Sequence, residues 1–184
     1  MRAVNNGISD WVSHMKGETV ERLLLTVVMV AAFFLAGKPQ DTLSLHAWRM
    51  FLHVNVWHLA GNLFVLWMLR GELYLLPSLV IGFVVSFLPA WSIYGDLGVT
   101  LGFSGVLFAI VGVKWGRLSL RENRKTQWEG TPAIKPLGTL TPAFRQFLMK
   151  PLPIAMVGVL VPHLNWCVHT YALIAGYIYG RYRR

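Results

Sequence analysis

The segment Gly102-Phe103-Ser104-Gly105-Val106-Leu107-Phe108-Ala109-Ile110-Val111-Gly112-Val113 is apolar throughout except for one hydroxyl, Ser104, placed near its start and followed at once by a glycine. A run of this kind predicts a helix in hydrocarbon, where a polar group is costly and usually has a task. Two further apolar segments carry polar side chains of that sort. One, Cys167-Val168-His169-Thr170-Tyr171-Ala172-Leu173-Ile174-Ala175-Gly176, contains His169; the other contains His53, His58 and Asn62. The whole chain shares this character, with 55% hydrophobic and 14% charged residues and a mean hydropathy of +0.51. A soluble domain would carry about 25% charged residues. The expected fold class is therefore all-α, a polytopic membrane bundle.

A chain of 184 residues has room for about six spans of roughly 20 residues joined by short loops, and none for a separate soluble domain. The expected segments are Leu23 to Gly37, Phe51 to Leu69, Leu73 to Tyr94, Gly102 to Trp115, Phe147 to Val161 and Trp166 to Gly180. Turn formers and charges mark their ends: Lys38-Pro39, Arg70-Gly71-Glu72, Gly95-Asp96 and Pro162-His163. The organisation expected is a cytoplasmic N-terminal segment, 1–22, and a six-helix membrane domain, 23–184. Residues 1–21 mix Arg2, Asp10, His14, Lys16, Glu18 and Glu21 with scattered apolar residues and offer no small-residue cleavage site, which argues against a removed signal peptide. The single cysteine, Cys167, excludes an internal disulfide and any multi-cysteine metal site.

Charge sets the expected topology. With a cytoplasmic N-terminus, every Lys and Arg except Lys38 and Arg49 falls on the inner side, as the positive-inside rule demands for an even number of spans. The net charge of +9 is thus a topology signal. The basic residues are scattered through loops without a nucleic-acid module, so anionic lipid headgroups fit them better than nucleic acid does.

In this topology Ser104, His169, His58 and Asn62 converge near the outer leaflet. The fourth segment, at about 14 residues, is only about 21 Å long against a hydrocarbon core of about 30 Å, so Ser104 is expected at the bottom of a wet hollow. Serine needs a base to become a nucleophile, and His169 is placed to serve from a facing helix. Helix packing would hold the imidazole where other serine hydrolases use a third carboxylate. For the oxyanion, the Ser104 backbone N–H at a helix N-terminus is one donor; His58 and Asn62, four apart on one helix face, are two more. Gly102 and Gly105 allow close approach and a sharp turn.

The pattern His53-x4-His58-x3-Asn62, then Gly102-x-Ser104-Gly105, then a last-helix histidine with small residues on its following turns (His169, Ala172, Gly176), resembles the rhomboid intramembrane serine proteases. The likeness runs from about Leu23 to the C-terminus and includes a Trp48-Arg49 pair. It implies a six-transmembrane-helix bundle in the cell membrane, bacterial and inner, with both termini cytoplasmic and the site toward the outer side. It also implies an endopeptidase acting on transmembrane or juxtamembrane segments of membrane proteins, without a cofactor or metal. By the same resemblance Ser104 is the nucleophile, His169 the base, His58 and Asn62 oxyanion donors, and His53 an organiser of local hydrogen bonds. Two departures stand out. Phe108 occupies a position where many members have a tyrosine stacked on the histidine, and Ala172 replaces a glycine.

Each feature also has a plainer reading. A serine beside a glycine suits helix packing; Gly112, Gly158, Gly176 and Gly180 are close-packing positions, and Trp48 and Trp166 suit the interface. Membrane histidines also serve as haem or metal ligands. The alternatives are therefore a catalytically idle rhomboid-like protein that binds membrane clients, and a small haem or metal carrier.

Overall fold

The computed structural model describes residues 2–35, 48–69, 71–89, 91–92, 95–96, 102–128 and 166–183. Its elements are α1 (Arg2–Leu35), α2 (Val56–Met68), α3 (Leu75–Val85), the short strands β1 (Trp91–Ser92) and β2 (Gly95–Asp96), α4 (Ser104–Trp128) and α5 (Trp166–Tyr182). They group into two compact units, Met1–Leu73 with Leu101–Phe103, and Tyr74–Thr100 with Ser104–Arg184. The expected fifth segment, Phe147 to Val161, lies outside the described residues.

In the first unit α1 is one helix of 34 residues. It passes through the expected boundary at residues 22 and 23 because no proline interrupts it. α2 starts at Val56, later than the apolar pattern suggests, since Asn55 caps it: its side chain accepts from the His58 N–H at 2.8 Å. Leu59, Asn62 and Leu66 form the buried face of α2. Arg22, only 6% exposed, ties α1 to the end of α2. Its guanidinium donates to the carbonyls of Glu18 (2.8 Å), Leu69 (2.7 Å) and Gly71 (3.0 Å). A cation at the C-terminal end of a helix also meets the negative pole of its dipole. Arg22→Met is therefore expected to destabilise the fold by about 2 kcal/mol, because it leaves the part-buried Leu69 and Gly71 carbonyls without this donor; chemical unfolding in micelles measures it, and Arg22→Lys should restore part of the loss.

In the second unit α3 tolerates Pro77 because it is the third residue of the helix, where its missing N–H has no intrahelical acceptor. The helix tightens at its end, with Phe87 N donating to Val84 O and Leu88 N to Val85 O, and Pro89 follows. The expected third segment thus stops early and gives way to an antiparallel pair, Trp91 opposite Asp96 and Ser92 opposite Gly95. α4 differs the other way. It runs for 25 residues, continuing past Trp115 because Arg117 to Gln127 are mostly good helix formers with neither Gly nor Pro.

α4 and α5 pack backbone to backbone. A Cβ added at Gly112 would stand 2.3 Å from the Leu173 carbonyl oxygen, and one at Gly116 2.3 Å from that of Tyr177; the reciprocal distances are 2.4 Å from Gly176 to Ala109 and 2.2 Å from Gly180 to Val113. Glycines four apart on both helices permit this approach. The core of this unit is Val85, Phe108, Ala109, Val168, Ala172 and Leu173.

Among the described residues no helix is both long and apolar enough to cross a membrane. α2, α3 and α5 have 13, 11 and 17 residues, and the apolar parts of α1 and α4 continue into polar ones. Large apolar side chains nevertheless stand exposed on every helix, among them Leu24, Trp57, Leu76, Leu118 and Ile178, which suits a hydrocarbon surround better than water.

Candidate active site

Ser104 is the first residue of α4 and His169 lies in the first turn of α5. The close crossing of the two helices brings these side chains together: His169 Nε2 is 2.7 Å from Ser104 Oγ. His169 is buried. Its ring stacks on Phe108, one turn along α4 from the serine, with centroids 4.5 Å apart and planes 11° from parallel. The Phe108 face thus restricts imidazole rotation by packing alone, and no hydroxyl is needed for that contact. Gly105 is not at the turn. It sits in the first turn of α4, where an added Cβ would meet Val168 Cγ1 at 3.3 Å.

The turn falls on Gly102, whose φ is +127°, a conformation that favours glycine. Gly102 belongs with the histidine cluster of the first unit. A Cβ there would stand 2.6 Å from His58 Cε1, 2.9 Å from His58 Nε2 and 3.5 Å from Asn62 Nδ2. The backbone N–H of Gly102 donates to the Arg49 carbonyl at 2.8 Å, and Phe103 is fully buried with its ring 5.8 Å from that of Phe51. Within the cluster Asn62 donates from Nδ2 to the His58 carbonyl at 3.1 Å, leaving the second amide N–H to another acceptor. His53 Nδ1 is 2.9 Å from the Phe51 carbonyl, so it carries the proton and donates. The His53 ring meets that of His58 edge to face at 5.3 Å, and among the described residues its buried Nε2 has no hydrogen-bond partner.

The Arg49 carbonyl was not legible in the sequence as an anchor for Gly102, since a backbone acceptor has no side-chain signature. The Arg49 side chain is itself buried, and desolvation lowers its pKa to about 10, which leaves it cationic at neutral pH. Neighbouring Trp48 is half exposed. Among the described residues no group of three or more His, Cys, Asp or Glu is arranged to hold a metal.

An apolar helical scaffold here holds a serine hydroxyl against an imidazole nitrogen, the pairing that a base-activated nucleophile requires. Residues 42–184 match the Rhomboid domain family. The chain belongs to the rhomboid family, helical integral membrane proteins that are generally serine intramembrane proteases acting on transmembrane substrates. No curated protein matches it.

Proposed function

We propose that this chain is an active intramembrane serine endopeptidase, working through a Ser104–His169 dyad on transmembrane or juxtamembrane segments of membrane proteins. The observation that carries this reading is the 2.7 Å contact between Ser104 Oγ and His169 Nε2, made with the imidazole stacked on Phe108.

His169 Nε2 removes the hydroxyl proton as Oγ attacks the scissile carbonyl, then delivers it to the leaving amine. The acyl-enzyme is released when water, deprotonated by the same imidazole, attacks it. The Ser104 N–H, at the positive end of the α4 dipole, receives the oxyanion. By the family pattern His58 and Asn62 add side-chain donors, supported by His53 and Gly102. The reading includes six spans, both termini cytoplasmic, a bacterial inner membrane and a site facing outward. A substrate helix must unwind to expose its carbonyl, so Gly or Pro near the cut favours cleavage.

Labelling with a serine-reactive fluorophosphonate in detergent tests the proposal. The wild type should label and Ser104→Ala should not; equal labelling of both would refute it. For the oxyanion donors, Asn62→Ala is expected to lower kcat by about 10-fold to 1,000-fold with little change in KM. A rate per folded molecule equal to wild type would make Asn62 structural.

A further inference from the structure

We infer that α4 carries a binding face for anionic phospholipid headgroups on the side it turns away from α5. The direction of α5 is fixed by contacts. Added Cβ atoms at Gly112 and Gly116 meet α5 backbone, and Ser119 Oγ accepts from Arg181 of α5 at 3.1 Å. At about 100° per residue these three positions span an arc of about 60°. Lys114, Arg117, Arg121, Arg124, Lys125 and Trp128 fall within a separate arc of about 100°, centred nearly opposite. Glu122, the one carboxylate of α4, lies outside it.

Among the described residues of this unit, α3 meets this arc as far as Arg117. α3 follows α4 from Gly82, whose added Cβ would meet Val106 Cγ2 at 2.7 Å, to Tyr74, whose ring lies 4.7 Å beneath Arg117 Cζ. α3 begins at Leu75, so the positions after Arg117 extend past its end. The depth is also right for headgroups. The apolar run gives out at Val113, and from Lys114 to Lys125 the helix rises about 16 Å. The headgroup layer adds roughly 5–8 Å to each side of the hydrocarbon, and the outer part of the arc remains within a Debye length of about 8–10 Å of the surface. Arginine forks match phosphate oxygens. The helical state of residues 116–128 creates this surface; in a loop the same cations would share no face.

Native mass spectrometry of the full chain in detergent, with equal amounts of phosphatidylglycerol and phosphatidylcholine, tests the assignment. Each cation near an anionic surface contributes about five-fold in affinity, so the wild type should prefer phosphatidylglycerol at least ten-fold. The combined Arg121→Gln, Arg124→Gln and Lys125→Gln variant should lose most of that preference. Arg121→Lys with Arg124→Lys should keep it, which decides the matter if the neutral variant unfolds on a thermal ramp. No preference in the wild type, or an undiminished one in the neutral variant, would overturn the proposal. So would an equal loss on neutralising Lys135 and Lys150, which lie outside α4, or tighter binding of polyglutamate than of phosphatidylglycerol nanodiscs, which would assign the face to an acidic polypeptide.

Discussion

Ser104→Ala and His169→Ala are each expected to lower the cleavage of a transmembrane substrate by at least about 1,000-fold, and the double variant should be no worse than either alone. The two side chains form one unit across the 2.7 Å contact; without the base the hydroxyl keeps its proton, and without the hydroxyl the base has nothing to activate. Stability should hold for Ser104→Ala, which removes one half-buried oxygen. His169→Ala leaves a small space against Phe108, so its folding should be checked by thermal unfolding. Multiplicative losses in the double variant would show that the residues act independently, and substantial cleavage by Ser104→Ala would exclude it as the nucleophile.

Gly180→Val should be the most damaging change away from the site. The new Cβ would stand 2.2 Å from Val113 O and 2.9 Å from Val113 Cα. These are backbone atoms of a helix and cannot swing aside as the end of a side chain can. α4 and α5 must move apart, at an expected cost of about 3 kcal/mol. Because the same helix pair aligns Ser104 with His169, activity per folded molecule should fall as well. Gly61→Ala is the control: nothing lies within 4 Å of its added Cβ, so the gain in helix propensity, up to about 1 kcal/mol, should raise the unfolding temperature. Equal behaviour of the two variants would mean that the close approach of α4 and α5 is not needed.

The helix limits show where sequence patterning stops being informative. Apolarity located the cores of α2, α3, α4 and α5 and both ends of α5 to within two residues, but not the start of α2 or the ends of α3 and α4. α2 begins where the Asn55 side chain captures the His58 N–H, and α3 ends where tightened hydrogen bonds and Pro89 close it. α4 extends into a polar stretch because helix formation there depends on backbone propensity, which hydropathy does not register.

The sequence alone determined the solvent class, the family pattern and the identity of the candidate residues, since composition and residue spacing are properties of the chain itself. The pairing of Ser104 with His169 was an expectation there; its distance was a matter of tertiary structure, set by glycine backbones that admit α5 against α4. Tertiary structure likewise decided that Gly102 takes the turn while Gly105 packs on Val168, and that Phe108 lies flat on the imidazole. These are contacts between residues remote in the chain or between backbone atoms. Their energies depend on ångström-scale separations that no spacing rule in one dimension encodes.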